Sequence, residues 1–264
     1  MRGLPVVVGV DGSSSALAAV AWAARTCVLH GAPLRLVHAY TLPTRGYPEV
    51  ISSARDLRSA MYDQGRMWLS QAVAVALAEA PHVPLEHDLR MEHPTPVLLA
   101  ESARAREVVV GSHGLGGFTG ALVGSTAVAL SIHGECPVVV VRGNEHDGPV
   151  VVGVDLSPES DPAIGFAFEE AAASQVPLVA AMAHAGEGSL KTRMSGWLEK
   201  YPDVAVEQVV GERPIPLLLE LGQRAGLLVV GSRGRGGFAG MLLGSTSQAL
   251  IYHAPCPVAV VRPA

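Results

Sequence analysis

The strongest constraint on this chain is a 32-residue segment that occurs twice, at 111–142 and 231–262. The two copies align without a gap and are identical at 20 of 32 positions. Each copy follows an apolar run, spaces its glycines as G-x2-G-x9-G-S, continues into a helix-like stretch and ends with Cys-Pro and a valine-rich run. A repeat of this length favours two domains of one fold. A mobile glycine linker, the alternative interpretation, gives no reason for a repeated spacing.

The glycine segments predict a binding loop between a strand and a helix. Glycine lets a backbone approach a ligand closely, because no Cβ stands in the way. Ser125-Thr126 and Ser245-Thr246 follow the last glycine of each motif, where a helix is predicted to begin. The unpaired N–H groups of a first helical turn, together with hydroxyls and loop amides, suit an anion such as phosphate.

The rest of the chain repeats as well, because VVVGVD occurs at both 6–11 and 150–155. Between the copies lies a polar, glycine-flanked segment at 143–148, which is a natural domain boundary. We therefore predict one domain over residues 1–145 and a second over residues 146–264.

The second copy is 24 residues shorter, because the first motif repeats at an offset of 144 and the glycine motif at an offset of 120. The missing residues fall between the second and third strands of the second copy. A helix predicted at about 50–80 in the first copy there becomes a shorter one at about 189–201. Surface crossovers tolerate such a change in length.

Short β-branched runs alternate with helix-like segments throughout both copies. This alternation predicts an α/β fold, with right-handed crossovers and parallel sheets covered by helices on both faces. Ligands of such sheets bind beyond the carboxyl ends of the strands. If the first and fourth strands are neighbours, Asp11 and Gly111 face one crevice, and Asp155 and Gly231 face another. Each crevice then combines an acid suited to ribose hydroxyls with a glycine loop suited to phosphates.

Composition excludes several classes of partner. The formal net charge is −5 with no basic face, which argues against nucleic acid as a partner. Three cysteines without metal-ligand spacing predict reduced, buried thiols, as in a cytoplasmic protein. No apolar stretch reaches the length of a membrane span, so we expect a soluble protein with no membrane partner.

A strand ending in VGVDGS, a G-x2-G-x9-G-S loop after VVVGS and a terminal CPVVVVR resemble the universal stress protein family. The chain resembles a tandem member of the actinobacterial type over essentially its whole length. The resemblance implies two tandem Rossmann-like domains of the adenine nucleotide alpha hydrolase-like type, each with a five-stranded parallel sheet of order 3-2-1-4-5 and helices on both faces. It also implies an intramolecular pseudo-dimer through the fifth strands.

The glycine-motif branch of this family binds ATP, so the resemblance implies one ATP site per copy, with Mg²⁺ accompanying the nucleotide and no dedicated metal site. It puts the aspartate near the ribose, an alanine backbone at the adenine edge and the glycine loop around the phosphates. The implied contacts of the first copy are Gly9, Asp11, Ala39, Gly111, Ser112, His113, Gly114, Gly116, Gly117, Gly124, Ser125 and Thr126. Those of the second copy are Gly153, Asp155, Ala183, Gly231, Ser232, Arg233, Gly234, Arg235, Gly236, Gly237, Gly244, Ser245 and Thr246.

Two departures at the strand ends favour the first site. The first copy has Gly12 after its aspartate and His38 in its second strand, whereas the second copy has Leu156 and Met182. Leu156 is expected to crowd the second crevice.

The glycine loops differ in the opposite sense. Arg233 and Arg235 stand in the second loop where the first has His113 and Leu115. Arginine is expected to hold a phosphate chain more firmly.

The sequence leaves three kinds of function open. The first is an ATP-binding stress-response regulator without catalysis, read by an unknown protein partner. The second is a slow ATPase, and the third is an interaction module that binds no nucleotide. A P-loop enzyme needs a lysine after its glycines, and neither loop contains one. Further assembly into a homodimer is also open.

Other residues have ordinary structural interpretations. Trp22 and Phe166 occupy equivalent helix positions and are predicted to lie in the core. Glu169-Glu170 is predicted to form a solvent-exposed face.

Overall fold

The structure is a computed structural model, and it describes residues 3–42, 54–114, 123–143, 147–155, 157–183, 187–234 and 243–263. The strands are β1 Val6–Gly9, β2 Leu34–Ala39, β3 Leu85–Arg90, β4 Glu107–Gly111, β5 Val138–Val141, β6 Val150–Val154, β7 Leu178–Ala183, β8 Val206–Gly211, β9 Leu227–Gly231 and β10 Val258–Val261. The helices are α1 Ser14–His30, α2 Ala54–Glu79, α3 Pro94–Ser102, α4 Ser125–His133, α5 Asp161–Ser174, α6 Glu187–Lys200, α7 Pro214–Gly222 and α8 Ser245–His253. Within those residues, no helix combines the length and the apolar character that a membrane span requires.

The strands form one ten-stranded sheet of order β3-β2-β1-β4-β5-β10-β9-β6-β7-β8. Each half has the predicted order 3-2-1-4-5, and its strands pair in parallel. The halves join through β5 and β10, which pair antiparallel, so the predicted pseudo-dimer through the fifth strands is confirmed. Because β1 lies beside β4, and β6 beside β9, the two crevices predicted from the sequence can form.

The central strands are apolar on both sides because helices cover both faces of the sheet. One core cluster contains residues from α1, α2, α5 and α6, and the other contains residues from α3, α4, α7 and α8. Phe166 is buried and Trp22 packs against the first cluster, as predicted.

Helix α1 shows how local sequence sets an element. Ser13 caps its N-terminus by accepting a hydrogen bond from the N–H of Ala16, and Gly31 ends it with φ of 60°. Its counterpart α5 is preceded by a 3₁₀ turn at Pro158–Ser160. The predicted shortening between the copies is confirmed, because α2 has 26 residues and α6 has 14.

Two arginines link the halves reciprocally beside the β5–β10 junction. Arg142, just after β5, donates a hydrogen bond to the carbonyl of Ile251 in α8. Arg262, just after β10, donates one to the carbonyl of Ile132 in α4. Carbonyls in a last helical turn have no partner within the helix, so each arginine satisfies a group that the helix itself leaves unpaired.

A buried charged cluster joins α1 to α5. The distance from His30 Nε2 to Glu170 Oε1 is 2.9 Å, and the distance from Arg106 Nη2 to the same oxygen is 3.2 Å. The prediction of a solvent-exposed face at 169–170 is therefore wrong for Glu170, whose exposed fraction is 3%. The face is buried because α1 of one half packs against α5 of the other.

Glu107, the first residue of β4, is fully buried beside this cluster. Within the residues described here, neither oxygen of its carboxyl group has a hydrogen-bond partner. The pKa of Glu107 is raised to about 8. The largest cause is burial, which disfavours the charged form, and the second is repulsion from the Glu170 carboxylate. The second half has apolar Leu227 at the equivalent position of β9, so the buried acid belongs to the first half alone.

The three cysteines are buried and unpaired, as predicted. Burial raises the pKa of each thiol to about 12. Such thiols carry almost no thiolate at neutral pH and are poor nucleophiles and metal ligands.

Candidate nucleotide site

Each half has a cavity at the carboxyl ends of its strands. The cavity of the first half has a volume of about 450 Å³ and that of the second about 300 Å³. Nine of the predicted residues line the first cavity: Gly9, Asp11, Ala39, Gly111, His113, Gly114, Gly124, Ser125 and Thr126. The nine equivalent residues line the second: Gly153, Asp155, Ala183, Gly231, Arg233, Gly234, Gly244, Ser245 and Thr246.

Two predicted residues lie behind the cavity walls. Ser112 and Ser232 are buried, and their carbonyls accept hydrogen bonds from Gly124 N at 2.9 Å and Gly244 N at 2.8 Å. These bonds hold the two ends of each glycine loop together. The remaining predicted contacts, Gly116, Gly117, Arg235, Gly236 and Gly237, lie outside the described residues, as do Leu115 and Leu156.

Local hydrogen bonds orient the two aspartates identically. Asp11 Oδ1 accepts from the backbone N–H of Ser13 at 3.0 Å and from its hydroxyl at 2.6 Å. Asp155 Oδ1 accepts from the N–H and hydroxyl of Ser157 at the same two distances. Each serine therefore fixes one oxygen of its aspartate.

The second carboxylate oxygen faces the glycine loop. A Cβ added to Gly114 would lie 2.5 Å from Asp11 Oδ2, and one added to Gly234 would lie 2.5 Å from Asp155 Oδ2. Any other residue at these positions would push into the aspartate, which explains why both loops have glycine there. The carboxylate and the loop backbone are thus immediate neighbours at each cavity.

Helices α4 and α8 begin at the cavity walls without a side-chain cap. Their N-cap residues are Gly124 and Gly244, which provide no hydrogen-bonding side chain. The N–H groups of each first turn are therefore left for another acceptor, and the positive end of the helix dipole favours an anion there. Thr126 adds a hydroxyl 3.2 Å from that of Thr95.

The sequence analysis missed the apolar side of each cavity. In the first half, Leu98 of α3 and Val110 of β4 pack so close to Gly9 that a Cβ there would lie 2.8 Å from Leu98 Cδ1. In the second half, a Cβ added to Gly153 would lie 3.0 Å from Leu218 Cδ1 and 3.1 Å from Val230 Cγ1. These apolar walls suit a flat aromatic base. Pro94 and Pro214, which begin α3 and α7 just beyond the third strand of each half, were the available signal.

The two halves also differ in the second strand of each sheet. His38 is buried, and its Nδ1 lies 2.7 Å from the carbonyl of Val10. Trp68 stands edge-on to this ring and also covers Gly12, whose φ of 84° favours glycine. At the position of His38 the second half has Met182, which lines the cavity itself.

The comparison with known protein families decides the identity of this fold. A profile of the universal stress protein family matches residues 4–142 and again residues 148–262. This chain belongs to the universal stress protein family. The two matches agree with the repeat in the sequence and with the two halves of the sheet.

Full-length relatives support the assignment. A universal stress protein of Mycolicibacterium smegmatis is 38% identical over 285 residues, covering 98% of this chain and 97% of the relative. Universal stress protein Rv2005c of Mycobacterium tuberculosis is 36% identical over 290 residues, covering 97% and 96%. The crystal structure of a universal stress protein from Archaeoglobus fulgidus matches with a TM-score of 0.79 at 19% identity, covering 99% of both chains, and so shares the fold.

Proposed function

We propose that this universal stress protein binds two molecules of ATP, one in each half, and that nucleotide occupancy regulates a partner during stress. The observation that carries the proposal is a repeated arrangement. In each half an oriented aspartate, a glycine loop and an uncapped helix N-terminus converge on one cavity. Repetition of all three parts is hard to explain by packing alone.

The parts of the first cavity match the chemistry of the three parts of a nucleotide. The apolar wall at Leu98 and the backbone at Ala39 suit the adenine ring. The second oxygen of Asp11 is suited to accept hydrogen bonds from ribose hydroxyls. The loop after β4 and the first turn of α4 supply N–H donors for the phosphates.

We propose that any Mg²⁺ arrives with the nucleotide. Mg²⁺ is commonly held by substrate phosphates, water and one or two carboxylates, and it does not require a protein cage. Among the described residues, no group of three or more His, Cys, Asp or Glu side chains could hold a metal ion. Among the described lining residues, the acid of the first cavity is Asp11 and that of the second is Asp155.

We propose that ATP turnover is slow. Neither glycine segment contains the lysine that P-loop enzymes place on the transferred phosphate. Of the residues lining the first cavity, Asp11 and His113 are the ionisable ones within the described part of the chain. One Asp11 oxygen is already engaged by Ser13. Turnover on the order of one per second or faster would favour the ATPase alternative.

Disrupting one glycine loop at a time tests the proposal. Gly114→Asp and Gly234→Asp each force a side chain against the resident aspartate and add a second negative charge beside it. Nucleotide-free protein is titrated with ATP in a calorimeter. The titration should give about two sites for the wild type, one for each single variant and none for the double variant.

A matched control separates the effect of disrupting a glycine loop from the effect of adding a carboxylate elsewhere in the protein. Gly196 in α6 is exposed, and a Cβ added there would have no neighbour within 4 Å. Gly196→Asp should therefore leave both ATP sites intact. Circular dichroism checks that every variant keeps its fold. An unchanged stoichiometry in folded Gly114→Asp protein would contradict the assignment of the first cavity.

A further inference from the structure

The two cavities carry different charges at the glycine loop. Asp11 and His113 are the ionisable residues of the first wall within the described chain, and Asp155 and Arg233 are those of the second. Arginine keeps its positive charge throughout the physiological pH range. The described wall of the second cavity therefore has a permanent positive charge, whereas the described wall of the first has no arginine or lysine.

The loop side chains also differ in their partners. His113 Nδ1 lies 2.9 Å from the hydroxyl of Ser112, so one of its two ring nitrogens already has a partner. Arg233 is exposed at the second cavity, and its guanidinium makes no hydrogen bond or ion pair with any part of the chain that the structure describes. An exposed guanidinium at the rim of a phosphate-binding loop is suited to a phosphate oxygen.

The backbones of the two loops are held in different ways. In the first half, the carbonyl of His113 accepts hydrogen bonds from the hydroxyls of Ser13, at 3.3 Å, and Ser15. These bonds tie the loop to α1. The second half has Glu159 in place of Ser15, and there the hydroxyl of Ser247 binds the Gly231 carbonyl at 2.6 Å. The second loop is thus anchored to α8, and Arg233 lies beyond that anchor.

The apolar walls of the two cavities also differ. Leu217 lines the second cavity where the first copy has the smaller Val97, and Met182 also enters the second wall. The second site therefore has bulkier apolar side chains at these positions and an arginine at its loop.

We infer that the two sites are not equivalent: the second selects adenine nucleotides by the charge of the phosphate chain, with Arg233 as the selecting residue, and the first discriminates little between monophosphate and triphosphate. This inference rests on the proposed function, since it concerns the same two cavities. One chain thus has two adenine nucleotide sites with different selectivity, and the occupancy of the second site responds chiefly to the triphosphate.

Single-site proteins measure the difference directly. Gly114→Asp leaves the second site and Gly234→Asp leaves the first. Binding of AMP and of ATP to each is measured by calorimetry in EDTA at low ionic strength, so that ATP keeps its full charge. The ratio of the AMP dissociation constant to the ATP dissociation constant should be about tenfold larger at the second site, as for one charge-assisted hydrogen bond. If either aspartate variant fails to fold, Gly114→Ala and Gly234→Ala replace it, because a Cβ alone meets the carboxylate at 2.5 Å.

Exchanging the loop residues identifies the cause. In the second-site protein, Arg233→His should lower the ratio by about tenfold, and in the first-site protein His113→Arg should raise it. Arg224→His is the matched control, because Arg224 follows α7 at the opposite end of the sheet and is exposed. It removes the same charge and should leave the ratio unchanged.

Each outcome is decisive. Equal ratios at the two sites, with both nucleotides binding, would overturn the inference and leave the proposed function standing. A ratio insensitive to Arg233→His would equally overturn it. Absence of binding at either cavity would instead refute the proposed function for that cavity, and the inference with it.

Discussion

Replacing Glu107 by leucine is expected to stabilise this protein. The side chain is fully buried, and neither of its oxygens has a hydrogen-bond partner among the described residues. The same position of the second half is Leu227, which the same fold accommodates within its core. The substitution copies the second half into the first and removes a polar group that the native state does not satisfy.

The size of the effect follows from the pKa of Glu107. Burial raises it from an ordinary 4.5 to about 8, so the folded state holds a proton that the unfolded state releases between these pH values. The free energy of unfolding is therefore highest below pH 4.5 with respect to this group and falls as pH rises towards 8. The loss is about 3 kcal/mol at pH 7 and about 5 kcal/mol at pH 8 or above, at about 1.4 kcal/mol per pH unit. Removing two unpaired oxygens adds about 1 to 3 kcal/mol at every pH.

Urea unfolding of the wild type, Glu107→Leu and Glu107→Gln at pH 5, 6.5 and 8 measures these terms. The difference between each variant and the wild type isolates Glu107 from the neighbouring titratable groups, namely His30, Arg106, Glu170, Cys27 and Cys136. Both variants should gain stability over the wild type as pH rises. Glu107→Gln keeps an unpaired polar group, so it should remain below Glu107→Leu throughout. A constant difference between pH 5 and 8, or a destabilising Glu107→Leu, would refute the reasoning.

Two further predictions concern packing. Gly12→Ala should lower stability by about 1 to 3 kcal/mol, because φ is 84° and the new Cβ would lie 2.3 Å from Trp68. Gly196→Ala, in the exposed part of a helix, should raise stability by about 0.5 to 1 kcal/mol. Equal melting temperatures for the two variants would contradict this prediction. The three buried thiols should not react with a disulfide reagent in the native state and should all react after denaturation, so fast reaction of a thiol in the folded protein would contradict their placement.

The repeat made most of the fold predictable. A doubled motif indicates two copies of one domain, and the valine-rich runs are long enough to identify central strands buried on both faces. Helices α4 and α8 begin at Ser125 and Ser245, where the sequence predicts helices to begin. Glycines that approach a carboxylate were also visible, because the same spacing occurs opposite the same acid in both halves.

Contacts between the halves were not predictable in this way. The burial of Glu170 depends on α1 of the first half, so the pattern of α5 alone indicates a solvated face. The burial of Glu107 could not be predicted either, because one charged residue at the start of an apolar run is typical of the exposed end of a strand. Such features depend on how two domains pack, which local periodicity does not encode.

Bound nucleotide can be counted directly to test whether each half of the chain holds one adenine nucleotide. Protein purified without added nucleotide is denatured, and the supernatant is chromatographed against ATP, ADP and AMP standards. We expect up to two adenine nucleotides per chain, with ATP predominant, and restoration to two on titration with Mg-ATP. No bound nucleotide, together with no binding in that titration, would contradict it and leave the interaction module as the function.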